Sequence, residues 1–286
     1  MPAAPLKKPP TDCAAAACCR PFLKWVGGKT QLLAAIRARC PARFNRYFEP
    51  FLGGGAVFFS LAPRRAVISD LNPELVNAYV VVRDEVEELI RELSSHVYEA
   101  EYFYRMRAAD RGEKFGEWSA LKRASRLIYL NKTCYNGLYR VNAKGFFNTP
   151  IGRYANPRIV DAENLRACSA ALAGTEIAVG GFEQAAKRAK RGDFVYFDPP
   201  YVPLSATSSF TSYSREGFGL EQQAALARLC KRLDEKGVLF LLSNSASAAS
   251  RELYRGFEIE EVRASRAINS NAAKRGEIAE ILVRNF

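Results

Sequence analysis

The sequence predicts an α/β fold organised around a parallel sheet, and two stretches predict it. The first is Phe194–Phe197, four aromatic or β-branched residues lying between Gly192 and the pair Pro199-Pro200. Apolar residues at every position suit a strand buried on both faces of a parallel sheet. The prolines supply no ladder donor, so the strand stops there. Asp198 then stands at its carboxyl end, where open α/β sheets bind ligands. The second stretch is a strand over 46–51, a turn at Gly53, Gly54 and Gly55, a helix over 56–61, a strand over 65–69, and Asp70. An acid at the end of the second strand of a doubly wound sheet commonly meets a ribose. The third glycine of the dinucleotide fingerprint is missing, because Phe58 takes its place. An ordinary βαβ unit without a ligand has the same outline.

The remaining elements follow in chain order. Residues 1–20 hold Pro2, Pro5, Pro9 and Pro10 and little apolar sequence, so a disordered tail is expected and a signal peptide is not. Order begins near Phe22. Gly28-Lys29-Thr30 invites a P-loop reading, but that motif needs glycine at position 23, which is leucine. The glycine turn before a helix over 31–39 can still bring backbone N–H groups to a ligand carboxylate. Asn72-Pro73 starts one long helical pattern to about residue 93. Helices over 98–109 and 119–131 come next, separated by a polar, glycine-containing stretch. Asn136-Gly137 is a strong turn signal, and 141–148 reads as a short hairpin turning at 143–145. Arg140, Phe146, Phe147, Arg153 and Tyr154 place basic and aromatic side chains on these loops, which suits phosphates and bases. A purely structural hairpin fits the local sequence equally well. Helices over 162–172, 183–189 and 221–235 and strands over 176–179, 193–198, 238–242, 257–262 and 278–283 complete the pattern. The Ser/Thr-rich stretch 205–214 reads as a loop placed to close over a site. The linker 263–276 carries Arg266, Lys274 and Arg275.

Composition narrows the class. A chain of 286 residues, 48% hydrophobic and 25% charged, has the makeup of a soluble globular protein of one large or two smaller domains. No apolar run approaches the roughly 20 residues that span a bilayer, so a cytoplasmic protein without membrane contact is expected. Lys and Arg number 42 against 30 Asp and Glu, a net charge of +12 that favours a polyanionic partner such as nucleic acid. Residues 101–170 alone hold 13 Lys and Arg against 6 Asp and Glu, so part of this charge is concentrated. A basic solvated surface is the competing explanation. Seven irregularly spaced cysteines with no C-x-x-C pair argue against a disulfide framework and against zinc. His96 is the single histidine, which excludes a multi-histidine metal site and makes a histidine-based triad a poor fit.

Asp198-Pro199-Pro200-Tyr201 carries a chemical reading beyond that of a strand ending in a proline turn. An exocyclic amine on a nucleobase is a poor nucleophile, because its lone pair is delocalised into the ring. A carboxylate and a rigidly aimed backbone carbonyl can accept its two N–H bonds and draw the nitrogen towards tetrahedral geometry. The aromatic that follows can stack on the base.

Taken in order, these residues resemble the Dam-type, alpha-class D12 DNA adenine-N6 methyltransferases. The resemblance is carried by Phe-Leu-Lys-Trp-Val-Gly-Gly-Lys (22–29), Glu-Pro-Phe-Leu-Gly-Gly-Gly (49–55), Asp-Leu-Asn (70–72) and Tyr-Asn-Gly-Leu-Tyr-Arg (135–140). It continues through Phe-Asn-Thr-Pro-Ile-Gly-Arg-Tyr (147–154), Asp-Pro-Pro-Tyr (198–201) and Pro-Leu-Ser-Ala-Thr (203–207), and spans roughly residues 20 to 286. It implies a Rossmann-like methyltransferase core, with a mostly parallel seven-stranded sheet containing one antiparallel strand. That core would comprise residues 21–85 and 159–286, interrupted by a mainly helical target-recognition insert with a β-hairpin over 86–158. It implies S-adenosylmethionine as cofactor, contacted by Trp25, Lys29, Phe51, Gly53, Gly55, Asp70 and Asp198. It implies a flipped-out adenine held by Asp198, Pro199, Pro200 and Tyr201 in a direct in-line transfer that requires no metal. Double-stranded DNA, commonly at GATC, would be met by Lys24, Tyr135, Asn136, Leu138, Arg140, Pro150 and Arg153, with the protein a monomer. Tyr139 and Thr133-Cys134 fall in a segment that the family varies. RNA adenine, cytosine N4 or a glutamine side chain can be served by related Pro-Pro-Tyr chemistry, and a DNA-binding protein that has lost catalysis is a further alternative. The basic insert favours duplex DNA over the former, and the intact Asp198 argues against the latter.

Overall fold

The computed structural model describes residues 19–201, 218–265 and 277–286. The first eighteen residues, the 203–207 motif with the Ser/Thr-rich stretch, and Arg266, Lys274 and Arg275 of the linker lie outside the described residues. Seven strands form one sheet: β1 (Tyr47–Glu49), β2 (Ala66–Asp70), β3 (Glu176–Val179), β4 (Phe194–Phe197), β5 (Leu239–Ser245), β6 (Glu258–Ser265) and β7 (Glu277–Arg284). Their order is β3-β2-β1-β4-β5-β7-β6, and β7 alone runs antiparallel to its neighbours. The sheet is therefore the mostly parallel Rossmann-like arrangement that the sequence predicts.

The uninterrupted apolar run of β4 has a simple cause. Successive side chains point to opposite faces. Phe194 and Tyr196 enter a core with Tyr47, Phe58 and Ile68, while Val195 and Phe197 enter another with Phe48, Phe240 and Leu226. Both faces are covered, so no position is left for a polar residue. Strand order reverses between β1 and β4, where connections leave in opposite directions and a crevice opens beyond the strand ends.

The helices are α1 (Leu33–Ala38), α2 (Ala56–Leu61), α3 (Pro73–Asp84), α4 (Val86–Ser94), α5 (Ala100–Ala108), α6 (Ala120–Thr133), α7 (Ala162–Leu172), α8 (Phe182–Lys187), α9 (Leu220–Glu235) and α10 (Ala248–Leu253). The Asn72 side chain accepts from Glu74 N and Leu75 N and caps α3, with Pro73 at its first position. The single long helix expected from Asn72 is two helices. Glu85 leaves helical geometry (φ −132°, ψ 38°), just after Arg83 reaches the Thr175 carbonyl at 2.7 Å.

The expected hairpin is present in a short form: one antiparallel bridge, Val141 to Phe147, flanked by bonds from Asn142 N to the Phe146 carbonyl and from Asn148 N to the Arg140 carbonyl (both 2.9 Å). The Asn142 side chain accepts from Lys144 N (3.0 Å), which shapes the turn, and from Phe146 N (3.1 Å), an N–H that the ladder would otherwise use. Asp110 Oδ2 accepts the outward-facing Phe147 N–H at 2.7 Å and ties the hairpin to the segment after α5. Helix α6 serves two cores. Ala124, Leu127 and Ile128 pack into the larger one, and Tyr129 and Leu130 into a smaller one with Phe103, Cys134 and Phe147. His96 is buried between Tyr102 (2.6 Å) and Ser125 (2.8 Å) and stacks on Tyr129, and burial lowers its pKa to about 4.

Candidate active site

A cleft of about 1080 Å³ opens where the order of strands reverses. The glycine turn after β1, Asp70 at the end of β2, the Gly27–Lys29 turn and residues 198–201 after β4 all line it. Asp70 holds the glycine turn directly. Its Oδ2 accepts from Gly53 N (3.0 Å) and its Oδ1 from Asn72 N (2.9 Å). Burial raises the Asp70 pKa, and these N–H donors oppose the rise. Gly53 and Gly55 have positive φ (49° and 67°). A Cβ at Gly53 would lie 2.9 Å from the Trp25 ring, and one at Gly55 would lie 2.7 Å from the Tyr79 hydroxyl. Glycine is needed at both positions on conformational and steric grounds.

On the other wall, Asp198 Oδ1 receives Lys29 Nζ at 2.9 Å and the Ser243 hydroxyl at 2.9 Å. The Lys29 ammonium also donates to the Gly27 carbonyl (2.9 Å) and stands 4.7 Å from the centre of the Tyr201 ring. The Tyr201 hydroxyl donates to Glu280 at 2.5 Å, and Gln223 Nε2 donates to the Pro200 carbonyl at 2.7 Å. The tetrapeptide is thus pinned from β5, β7 and α9. Phe51 stacks on Phe182 (5.6 Å, 20°) and meets Phe218 edge-on, giving the cleft an aromatic wall.

Glu49 is the unusual group. It lines the cleft and is only 3% exposed. Burial pushes its carboxyl up to about 8, and the negative charge of Asp198 adds to the rise. The Tyr47 hydroxyl, donating to Oε2 at 2.7 Å, and the Phe58 backbone act against it.

A family model of the D12 class N6 adenine-specific DNA methyltransferases matches residues 25–268. The chain belongs to that family. Its catalytic activity is therefore that of an adenine-specific DNA methyltransferase. The chain is 49% identical over 271 residues to the type II methyltransferase M1.LlaDCHI of Lactococcus lactis subsp. cremoris, covering 93% of this chain and 95% of the relative. It is 43% identical over 287 residues to the type II methyltransferase M.MjaIII of Methanocaldococcus jannaschii, covering 93% and 99%. It is 37% identical over 268 residues to the DNA adenine methylase of Escherichia coli K12, covering 92% and 94%.

In this D12 methyltransferase the sequence-predicted residues form two groups. Trp25, Lys29, Phe51, Gly53, Gly55, Asp70 and Asp198 to Tyr201 share the one cleft. Lys24, Tyr135, Asn136, Arg140, Pro150 and Arg153 are exposed, and Leu138 is half-buried. Contacts join most of this second group. Tyr135 N donates to the Pro150 carbonyl (2.9 Å), Lys24 stands over Tyr154 and packs against Gly137, and Asn136 takes a left-handed φ of 54°. Arg140 Nε is held by Asn148 Oδ1 at 2.7 Å. Sequence reasoning gave no role to Glu49, Tyr139, Phe182, Phe218, Gln223 or Ser243. Tyr139 stacks on Trp25 (5.1 Å, 22°) and so joins the two groups. Glu49 carried a usable signal, an acid inside an otherwise apolar strand end. The others reach the site through tertiary packing alone. Among the described residues, no helix is long and apolar enough to cross a membrane. No group of three or more His, Cys, Asp or Glu among them is placed to hold a metal ion.

Proposed function

We propose that this methyltransferase takes its methyl group from S-adenosylmethionine and delivers it to N6 of an adenine turned out of duplex DNA, within GATC. The observation that carries the reading is the single cleft that brings Asp198, Asp70 and the glycine turn together. The groups present suit the cofactor. Asp70 retains acceptor capacity for ribose hydroxyls, since each oxygen takes one backbone N–H and can take more. Phe51 and Phe182 offer an apolar wall for an adenine ring. Lys29 suits a carboxylate, and Asp198 suits a cationic group. When bound, S-adenosylmethionine supplies an electrophilic methyl group on a sulfonium.

The chain's own residues do the rest. Asp198 and the Pro199 carbonyl accept the two N–H bonds of the exocyclic amine and localise its lone pair. Tyr201 stacks on the base. Gln223 and Ser243 keep the acceptors aimed, so little reorganisation remains at the moment of transfer. Lys29 occupies the space between Asp198 and the Tyr201 ring, so it moves aside when a base enters. The exposed group around Lys24 and residues 135–153 faces the duplex. There Leu138 and Arg140 read bases, Tyr135 and Asn136 brace the gap left by the flipped nucleotide, and Pro150 and Arg153 add contacts. Residues 21–85 and 159–286 form the catalytic core, 86–158 form the recognition insert, and the protein acts as a monomer beside the DNA in the cytoplasm.

The test is methylation of unmodified genomic DNA by the purified protein with S-adenosylmethionine, followed by sequencing that reports modified bases in context. N6-methyladenine at GATC is expected. Methylation at another sequence overturns the GATC assignment alone, and N4-methylcytosine or no transfer overturns the reading.

A further inference from the structure

Asn131 lies near the carboxyl end of α6, is 1% exposed, and does not line the cleft. Its amide is used in three directions. Oδ1 accepts from Lys24 N at 2.8 Å, and Nδ2 donates to the Lys24 carbonyl at 2.8 Å and to the Gly137 carbonyl at 2.9 Å. Both N–H donors and one acceptor site of the amide are therefore spent on two backbone segments. One segment carries Lys24 and the other leads into Leu138 and Arg140.

The two segments also touch without slack. A Cβ at Gly137 would lie 2.6 Å from Lys24 Cδ, 2.8 Å from Lys24 Cβ and 3.2 Å from the Asn131 carbonyl. The Trp25–Tyr139 stack braces the next residues along. The offset between Lys24 and the 137–140 segment is thus set by bonds from the buried Asn131 amide to both backbones. It does not depend on the exposed side chains themselves.

Reading a base pair requires donors and apolar groups from different segments to arrive at fixed separations, with tolerances of a fraction of an ångström. We propose that Asn131 is a specificity-positioning residue. It locks Lys24 and the Leu138–Arg140 segment into one rigid reading head and touches no DNA itself. The inference rests on the reading above, in which those segments contact bases.

The experiment uses the full chain and the variants Asn131→Asp, Asn131→Ala and Thr133→Val. Thr133 is a matched control, because it is equally buried on the same helix and its hydroxyl donates to the Tyr129 carbonyl within α6 (2.6 Å). Methyl-transfer kcat/KM is measured on a duplex bearing the parent's preferred site and on each single-base-pair substitution of it. Melting and S-adenosylmethionine affinity are measured alongside.

Asn131→Asp keeps the acceptor for Lys24 N and loses both donors. Its discrimination against substituted sites is expected to fall about tenfold, within what a single base contact supplies. Asn131→Ala falls further. The loss comes from slower reaction at the preferred site, while cofactor affinity stays within about twofold and Thr133→Val keeps the parent's profile. A folded Asn131 variant with the parent's discrimination overturns the proposal, as does an equal loss in Thr133→Val. If both Asn131 variants fail to fold, Gly137→Ala decides. It drives the segments apart with Asn131 intact, so relaxed discrimination supports the proposal and a parental profile overturns it. The parent's own rates test the underlying reading separately. A parent that methylates all duplexes alike removes both.

Discussion

Replacing Glu49 by glutamine isolates a buried charge whose effect on stability has a definite sign. Burial pushes the Glu49 carboxyl up to about 8 in the folded protein, against 4.5 for a solvated glutamate. Between those values the unfolded chain has released the proton and the folded chain still holds it. Stability therefore falls as pH rises through this window. The full contribution of the protonated carboxyl is present below the lower value, and the loss is complete above the higher one. The slope for one proton is about 1.4 kcal/mol per pH unit, and integration between pH 5 and pH 7 gives on the order of 2–3 kcal/mol. Glutamine keeps the size of the side chain and cannot ionise. The stability difference between Glu49→Gln and the parent should shift in favour of the variant by that amount across the interval. Urea unfolding at half-unit steps of pH, with fixed ionic strength and no cofactor, measures it. A difference that stays constant from pH 5 to pH 8 would refute the argument, because it would mean that Glu49 is already ionised in the folded cleft.

Three further outcomes are expected. Asp198→Ala should fold normally and lose methyl transfer on the order of 10²-fold or more, since a positioned acceptor for the reacting amine is gone; a variant with half the parent's turnover sinks the assignment. Asp70→Ala should weaken S-adenosylmethionine binding about tenfold or more while leaving duplex affinity nearly unchanged, as read by titration calorimetry; equal losses for both ligands would assign Asp70 only to holding the glycine turn. Arg140→Ala should cost roughly 1–3 kcal/mol at the preferred site and relax discrimination at one base pair. An even loss on all sequences, with a salt slope smaller by about one phosphate contact, would make Arg140 a phosphate ligand instead.

The catalytic wall was legible in sequence because it depends on local rules. An apolar run stopped by two prolines defines β4 and leaves Asp198 at its end, and the three glycines before a helix define the turn that Asp70 holds. What sequence hid was settled by partners distant along the chain. Nothing near Tyr201 says that its hydroxyl reaches Glu280, 79 positions away. Nothing near Asn131 says that its amide reaches Lys24, 107 positions away. The long helix expected from Asn72 kept its apolar pattern across Glu85, and only the packing of α3 and α4 shows the break. The expected hairpin at 141–148 stays short because the Asn142 side chain takes the Phe146 N–H from the ladder, a competition that alternation of residue type does not display.

The double allegiance of α6 sets limits on how this protein can be re-engineered. A helix that fills the larger core with Leu127 and Ile128 and the smaller one with Tyr129 and Leu130 is not part of a cassette that lifts out cleanly. Excising residues 86–158 would remove α4 together with α6 and bare the faces of α3 and α7 that they cover. A natural seam lies further along. The Cys134–Ile151 bridge brings the chain back to within one rung of where it left, and the Gly152 N–H bond to the Thr133 carbonyl (2.8 Å) closes the base. On the proposed reading of residues 135–150 as base-contacting, chimaeras that borrow a relative's residues between those two points would change sequence preference on an unaltered frame.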